Sequence, residues 1–524
     1  MGSLFTTQEP LSHLIINGDA NGDANASMER DREKISSEGN KVGLWMLVGL
    51  TYFGVSGGPF GSEVAVQAAG PGLAILGFIV MPFVWSLPEA LMTAELCTNF
   101  PEASGFCAWT NAAFGPCVSF ICSFMSWLSG VTDNAVYPVM MFAYLEAGGM
   151  KSLSPVAEWA LVVAITLVLT VLTWRGLDVT ATTSVLLTTF ILAPFVVLCV
   201  LTLPHAAPEN WLRPPEHGLQ GVDWRSLLNI LFWNLNYFDS ASAFSGDCVS
   251  PERTFPRGML LTWAAIFFTY LLPLLAVTGV APDERYCDGC YASLSKYAVG
   301  SWLSVWIQVA AFTSCIGQFI AEMASDSFQL MGMADRGQLP KFVGGRSRYG
   351  TPTFAVVVSA VCIVFLARLS FQTIVELVNI LYALTVLAEF AAFIVLRRRQ
   401  QSVLNGGGRV YRVPVNDQWG AVVMFIPASV FVFAVMAFSS SFALALAFVA
   451  LVAGFLLYLW NCTARKRGWI DYAPVDSEWR QGRDHRWIRH VLGGIESQCL
   501  QPQRERAGSR ETASSSLQSR VSTF

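Results

Sequence analysis

Length and composition place this chain outside the ordinary soluble proteins. Of its 524 residues, 53% are hydrophobic and 13% are charged, with a formal net charge of −4. A soluble chain carries about 25% charged residues because they cover its surface. The low charge excludes a water-soluble enzyme as the main interpretation and predicts that much of the surface faces lipid. The 12 cysteines are scattered mostly through apolar runs, which argues against a disulfide framework.

Twelve runs of mostly apolar residues are each long enough to cross a hydrocarbon core of about 30 Å as a helix. We predict an all-α integral membrane protein with a membrane domain at 42–462 between two cytosolic tails, 1–41 and 463–524, the first of them disordered. The predicted transmembrane helices cover 42–69, 72–98, 114–145, 155–174, 178–203, 226–247, 258–281, 301–330, 353–370, 372–396, 419–438 and 442–461.

Counts of Lys and Arg in the short loops set the expected orientation. With the N-terminus inside, twelve of these residues lie in inner loops and six in outer loops, and this excess predicts that both termini are cytosolic. The first 40 residues lack an apolar core, so we expect the first helix, rather than a cleaved peptide, to act as the membrane signal. The sequon at Asn25 then lies on the wrong side of the membrane for glycosylation.

Cys287 and Cys290 form a CxxC pair in an outer loop. The two residues form either a disulfide or two free thiols, and the spacing alone does not decide between them. A zinc site needs two more ligands, and the neighbouring sequence supplies none.

The first run is interrupted in its middle by residues that disfavour a helix. Residues 55–61 read VSGGPFG, in which Pro59 removes a backbone donor and three glycines release the backbone. Unwound backbone at membrane depth is tolerated only beside a polar cavity or a ligand. We therefore predict a break at which Ser56, Gly57 and Gly58 bind substrate. The alternative is a kink whose glycines only allow close helix packing.

The sixth run carries a second polar interruption. Residues 233–242 read WNLNYFDSAS, and the two Asn and the Asp cannot face lipid without a large cost. If runs one to five and six to ten form two halves, both breaks fall in the first helix of a half. This pattern is typical of inverted-repeat transporters, which bind substrate at such breaks near the bilayer midplane. We predict two inverted repeats of five helices, two peripheral helices, and discontinuous helices 1 and 6.

The apolar runs contain acidic residues but almost no basic ones. Each ionisable group in the hydrocarbon core costs at least about 2.5 kcal/mol. Carboxylates without basic partners imply either protonation or neutralisation by a bound cation, and both fit a proton-coupled carrier of an organic cation. The acidic residues are Glu89, Glu95, Asp133, Asp239, Glu322, Asp326, Glu376 and Glu389.

Two of these carboxylates are the strongest functional candidates. Asp239 lies on the broken sixth helix, and Glu322 lies in an otherwise uncharged run. Asp133 is evenly balanced between a site residue and a structural one. Trp233 and Tyr237 bracket the sixth-run break, where a ring face can hold an ammonium group or a methylene chain. The alternative for both aromatics is an ordinary place in the core.

Other carboxylates have structural explanations. Glu95, near a helix end, is suited to bonding loop amides, and Asp326 is suited to pairing with inner-loop arginines. Glu376 and Glu389 of the tenth run favour contacts between helices. Glu89 remains a candidate for proton coupling.

Seven segments then carry a family resemblance: VSGGPFG at 55–61, WSLPEALMTAEL at 85–96, GVTDNAVYP at 130–138, FWNLNYFD at 232–239, EMASDSFQLMGM at 322–333, YGTP at 349–352 and YRVP at 411–414. In this order they resemble the amino acid/polyamine/organocation (APC) superfamily of transporters. Within it, the chain is most similar to the eukaryotic polyamine–proton symporters, including the plant polyamine uptake transporters. The resemblance covers roughly residues 42–461.

The resemblance implies roles for individual residues. The unwound stretch 56–60 is expected to supply backbone groups to the ligand. Trp233 matches an aromatic that packs on the aliphatic chain of the substrate in basic-amino-acid exchangers, and Asp239 matches an acidic position near their gate. Glu322 stands where those exchangers place a pocket aromatic, and a carboxylate there suits a distal ammonium group. Asn134 and Tyr137 match pocket-facing positions of helix three.

These expectations together describe a secondary transporter that imports putrescine or spermidine with protons across the plasma membrane, without a cofactor. One ammonium group is expected at Glu322 and the other at Asp239, Asp133 or Asn236, with the methylene chain along the two aromatics of the sixth-run break. The proton is expected on Glu89 or on one of these acidic residues. The partners are the organic cation, protons and lipid, and no nucleic acid.

Two departures from the plant relatives leave the substrate open. FDSAS at 238–242 replaces the Trp-Asp-Lys-Ala-Ser expected of them, and Cys107 and Ala108 replace a Gly-Tyr-type pair. One alternative is an amino acid carrier that holds a carboxylate at the amides of Gly57 and Gly58. Another is a nutrient sensor that binds without flux. An enzyme is not expected, because no nucleophile–base constellation, phosphate loop or metal-ligand cluster appears.

Overall fold

The computed structural model describes residues 42–101, 105–147, 153–176, 181–215, 218–281, 286–287, 289–400, 411–415 and 418–473. From Gly43 onward these residues belong to one unit, which contains all the helices named below. The predicted N-terminal tail with its sequon at Asn25, and residues 474–524 of the predicted C-terminal tail, lie outside the described residues.

The helices of the described first half follow the first five predicted runs. A π-helical turn, Pro82–Ser86, joins the second and third helices. In chain order, the helices of this half are α1 (Leu44–Val55), α2 (Ser62–Met81), α3 (Leu87–Asn99), α4 (Phe106–Phe114), α5 (Pro116–Asn134), α6 (Val136–Ala147), α7 (Pro155–Trp174) and α8 (Ala181–Thr202).

The described remainder of the chain is helical as well. Short 3-10 turns at Leu203–His205, Gly218–Gly221 and Lys341–Gly344 lie in its connections. The longer elements are α9 (Pro208–Trp211), α10 (Trp224–Trp233), the 3-10 helix Phe238–Asp247, α11 (Pro251–Val280), α12 (Tyr291–Ala298), α13 (Ser301–Asp335), α14 (Thr353–Leu366), α15 (Phe371–Gln400), α16 (Gln418–Phe438) and α17 (Ser441–Arg467).

The outer surface of this bundle is apolar. Within the described residues, eight helical stretches are long and apolar enough to cross a membrane, and α1 and α14 are apolar but shorter. Large apolar side chains are exposed on the outer faces, among them Leu167, Phe365, Val423 and Phe448. An exposed apolar surface of this kind is suited to lipid rather than water. The protein is therefore an all-helical, multi-pass membrane protein.

Both predicted interruptions lie where the chain leaves the helical conformation. α1 ends at Val55 and α2 begins at Ser62, and between them Gly58 and Gly61 have φ angles of 123° and 85°, which glycine adopts at little cost. α10 ends at Trp233, and the 3-10 helix begins after Tyr237, whose φ is 69°. We name these the first break, 56–61, and the second break, 234–237.

Several helix boundaries differ from the predicted runs for local reasons. The first two runs join in α2, where only Gly70, with φ 75° and ψ 168°, interrupts the helix before Pro71. The third run divides at Ala135, because Pro138 has no N–H to bond the carbonyl four residues before it. The last helix continues to Arg467, past the predicted domain end at 462, and ends at Gly468 with φ 66°.

The CxxC pair is joined. Cys287 and Cys290 form a disulfide across a separation of three residues, which decides between the two alternatives that the sequence left open. The disulfide lies directly before α12, and Cys290 is the residue that precedes its first turn. The segment is thus anchored at the start of the short helix that leads into α13.

Candidate substrate-binding site

A cavity lies between the two helix breaks. The first break, the junction of α5 and α6, the second break and α13 supply its walls, and α11 adds Tyr270. The predicted substrate-binding residues that line it are Ser56, Gly57, Gly58, Asp133, Tyr137, Trp233, Asn236, Tyr237 and Glu322.

Two carboxyl groups give the cavity an acidic character. The Trp233 indole Nε1 donates to Oδ1 of Asp133 at 2.8 Å, and the Tyr137 hydroxyl donates to Oε1 of Glu322. The second oxygen of Glu322 has no hydrogen-bond partner among the described residues. The described lining contains no Lys, Arg or His. The cavity is therefore suited to a cation and unsuited to an anion.

Aromatic rings form much of the remaining wall. Phe60, Tyr144, Trp233, Tyr237 and Tyr270 all line the cavity. The negative face of an aromatic ring attracts an ammonium group within about 6 Å, and its apolar surface packs on methylene groups. The lining thus combines charged ends with apolar sides, as a flexible organic cation requires.

The first break also serves as a packing surface for α13. Ser314 Oγ donates to the Gly57 carbonyl at 2.5 Å, and a Cβ at Gly57 would lie 1.9 Å from Oε1 of Gln318. Within the break, the Gly58 amide donates to Ser56 Oγ at 3.2 Å. The first break therefore lines the cavity and also allows close helix packing, while its role in substrate binding stays a prediction.

A second group of acidic residues lies beside the second break, outside the cavity lining. The Tyr382 hydroxyl of α15 is 2.6 Å from Oε1 of Glu89 and 2.7 Å from Oδ1 of Asp239. Oε1 of Glu89 also accepts the Phe238 amide at 2.7 Å. A carboxyl at this position stabilises the exposed amides at the start of the 3-10 helix. Asp239, which we predicted in contact with substrate, therefore faces this group instead.

A family model described as amino acid permease matches residues 42–462. The chain belongs to this family. The match confirms the resemblance to the APC superfamily and identifies the protein as a transporter rather than an enzyme.

The chain is also similar to individual transporters. The chain is 41% identical over 474 residues to the polyamine transporter RMV1 of Arabidopsis thaliana, covering 90% of this chain and 94% of that protein. It is 42% identical over 440 residues to the polyamine transporter PUT1 of Oryza sativa subsp. japonica, covering 83% and 81%. An arginine/ornithine antiporter of Latilactobacillus sakei is 24% identical over 355 residues, covering 64% and 73%.

Asn134, also predicted to contact substrate, lies outside the cavity lining of this permease. Its Nδ2 donates to Oδ2 of Asp326 at 3.2 Å, which joins α5 to α13. We expected Asp326 to pair with inner-loop arginines, and its hydrogen-bond donor in the described structure is this amide. Adjacent helical residues lie about 100° apart, so Asp133 faces the cavity while Asn134 faces the neighbouring helix.

The remaining carboxyl groups make structural contacts. Oε2 of Glu95 accepts the Val413 amide at 2.6 Å and lies 3.6 Å from Arg397, as expected for a residue that bonds a loop. Glu376 pairs with Arg225 of α10 and accepts the Ser440 hydroxyl at 2.6 Å. It thus holds α10, α15 and the start of α17 together, as the predicted helix–helix contact requires.

Sequence reasoning missed several residues of both groups. Ser314 and Gln318 line the cavity and precede Glu322 at intervals of four residues, so they form one polar stripe on α13. That spacing was a usable signal. Tyr382 was missed because an aromatic in an apolar run has an ordinary explanation in the core. Its position seven residues before Glu389, two helical turns away on the same face, was the available indication.

Proposed function

We propose that this permease imports polyamines, with putrescine and spermidine as its substrates, by proton-coupled symport across the plasma membrane. The observation that carries the proposal is the pair of carboxyl groups, Asp133 and Glu322, in a cavity without a basic lining residue in the described structure. The polyamine transporters named among its relatives support the same substrate class.

The binding mode follows from the lining. One ammonium group binds at the oxygen of Glu322 that no protein donor occupies in the described residues. The other ammonium group binds at Asp133, and the methylene chain lies along the rings of Trp233 and Tyr237. One ammonium–carboxylate pair at 4 Å contributes about 4 kcal/mol at an effective dielectric of about 20. Two such contacts, reduced by desolvation and ordering, are consistent with micromolar affinity, about −8 kcal/mol.

An amino acid is a weaker fit for this cavity. Its carboxylate needs cationic or N–H donors, and the Gly58 amide of the first break already donates to Ser56 Oγ. Asp133 and Glu322 would repel it. A neutral amino acid also has only one ammonium group, so either Asp133 or Glu322 would be left without a cationic partner.

The proposed architecture is the one expected of an alternating-access transporter. It has twelve transmembrane helices: two inverted repeats of five, broken in their first helices, and two peripheral helices. Both termini face the cytosol. The breaks at 56–61 and 234–237 support this arrangement because they occur in the first helix of each proposed repeat.

The test is uptake of labelled putrescine by a host that lacks polyamine transport, at acidic and at near-neutral external pH, with and without a protonophore. Surface biotinylation first establishes that the protein reaches the plasma membrane. The proposal predicts uptake that rises at acidic pH, collapses with the protonophore, and is inhibited by spermidine but not by leucine or arginine.

The opposing results identify the alternatives. Uptake of arginine or leucine without uptake of putrescine would reject the polyamine assignment in favour of an amino acid carrier. Saturable polyamine binding by the purified protein without any flux would instead indicate a sensor.

A further inference from the structure

We propose that Glu389, Asp239 and Glu89 form the proton-binding site of this transporter, separate from the substrate cavity and connected to it through the second break. The inference rests on the proposed function and assigns substrate binding and proton binding to different residues. Asp133 and Glu322 bind the organic cation, whereas these three residues and Tyr382, here named the carboxyl cluster, bind the proton. The sequence predicted only a helix contact for Glu389.

The cluster joins three separate elements inside the protein. Glu89 lies on α3, Asp239 on the 3-10 helix, and Glu389 with Tyr382 on α15. All four residues are at most 2% exposed. Three carboxyl groups in such a space cannot all be ionised without a strong mutual repulsion.

The described neighbours do not neutralise the cluster. None of its members takes part in the ion pairs formed by Arg225 and Arg397. The thiols of Cys97 and Cys122 and the phenol of Tyr382 lie within electrostatic range of these carboxyl groups, and all three are acids themselves. A bound proton neutralises a carboxyl group with no further ligand.

The hydrogen bonds of the cluster favour a proton on one of its carboxyl groups. The Tyr382 hydroxyl lies close to both Glu89 and Asp239 but has one proton, so it donates to only one of them at a time. Both oxygens of Glu389 are buried and lack a hydrogen-bond donor among the described residues. A buried carboxylate without a donor is costly, and a bound proton removes its charge.

The second break connects this proton to the substrate cavity. The Tyr237 amide donates to the Tyr382 hydroxyl at 3.2 Å, while the ring of Tyr237 lines the cavity and its hydroxyl bonds Ser129 at 2.5 Å. The next amide, that of Phe238, donates to Glu89. A change in the charge of the cluster therefore changes how strongly it holds the backbone amides of Tyr237 and Phe238. In the proposed binding mode, the ring of Tyr237 contacts the substrate.

The experiment uses the full chain in proteoliposomes and measures two activities of Glu389→Gln. The first is putrescine counterflow at equal pH on both sides, which needs substrate binding and alternating access but no net proton movement. The second is putrescine accumulation driven by an inward proton gradient, with the membrane potential clamped by potassium and valinomycin. One coupled proton supports about tenfold accumulation per pH unit. Glu389→Gln should retain counterflow and reduce this accumulation to a ratio of about one.

Glu376→Gln is the matched control, because it makes the same change in the same helix at a carboxyl that has a cationic partner. It should retain both activities. Accumulation by Glu389→Gln equal to that of the wild type would overturn the inference, as would loss of counterflow in a variant that is monodisperse after purification. If Glu389→Gln does not fold, Glu89→Gln is measured in the same two assays with the same expected outcome.

The two proposals fail in different ways. Counterflow of leucine but not putrescine by the wild type rejects the proposed substrate, and the two assays then test Glu389 with leucine. Putrescine counterflow by the wild type, with unchanged gradient-driven accumulation in Glu389→Gln, rejects only the proton site.

Discussion

The indole Nε1 of Trp233 donates a hydrogen bond of 2.8 Å to Oδ1 of Asp133. Trp233 is the last residue of α10 before the second break, and Asp133 is near the end of α5. The bond therefore fixes the carboxyl that faces the cavity to the helix that is interrupted there. Because the ring of Trp233 also lines the cavity, a molecule bound there as proposed would contact both partners.

Asp133→Asn should raise the KM for putrescine by about tenfold to about a hundredfold, since a hydrogen bond to a charged group contributes about 1.5–3 kcal/mol. The amide oxygen of the new side chain still accepts from Trp233, so the fold should be retained. Uptake kinetics at a matched surface level give the KM. An unchanged KM would show that Asp133 is structural.

Glu322→Gln should abolish high-affinity uptake while surface expression is retained. The substitution keeps an acceptor for the Tyr137 hydroxyl and removes only the charge that an ammonium group needs. Glu252→Gln, at an exposed position in the first turn of α11, is the matched control and should behave as the wild type. Normal putrescine uptake by the Glu322 variant would rule out the proposed binding mode.

Gly57→Ala should reduce transport, because its Cβ would lie 1.9 Å from Gln318 Oε1 and 2.2 Å from Ser314 Oγ and would displace both side chains. Gly332→Ala in α13 is the control, since a Cβ there meets no atom within 4 Å. The control should transport normally. Uptake at a matched surface level is the measurement, and full activity of Gly57→Ala would show that the first break does not need this close approach.

Arg225→Gln should lower the melting temperature, because Glu376 is fully buried and would lose its cationic partner. The expected loss is about 1–3 kcal/mol, near the lower end because the Arg225 side chain is 41% exposed. The double variant Arg225→Gln/Glu376→Gln should recover part of the loss, since the buried charge is then removed as well. Thermal unfolding of the purified variants gives the comparison, and strictly additive effects would contradict the coupling.

The two breaks could be predicted because their cause is local. Pro59 and its neighbouring glycines disfavour a continuous helix, and the side-chain amides of Asn234 and Asn236 cannot face lipid without a large cost. Most of the cavity-lining residues could be predicted from these breaks, because unwound backbone at membrane depth is tolerated only beside a polar cavity or a ligand. The direction in which each side chain near a break points was harder to predict. Tyr237 lines the cavity, whereas Asp239, two residues later, bonds Tyr382 of α15.

The carboxyl cluster could not be assembled from sequence alone. Glu89, Asp239 and Glu389 are separated by at least 150 residues along the chain, and only the packing of α3 and α15 against the 3-10 helix brings them together. The sequence marked Asp239 and Glu89 as separate functional candidates, whereas Glu389 had an ordinary explanation as a contact between helices. The role of Gln318 beside Gly57 depends on the same kind of long-range contact between α13 and the first break.

The central claim is that the cavity between the breaks binds an organic cation through its carboxyl groups. Equilibrium binding of labelled putrescine to the purified protein, with unlabelled spermidine, arginine and leucine as competitors, tests it most directly. The account predicts saturable binding that spermidine displaces, that leucine leaves unchanged, and that Asp133→Asn and Glu322→Gln each weaken. Binding of leucine or arginine in place of putrescine, or putrescine binding that neither substitution affects, would contradict it.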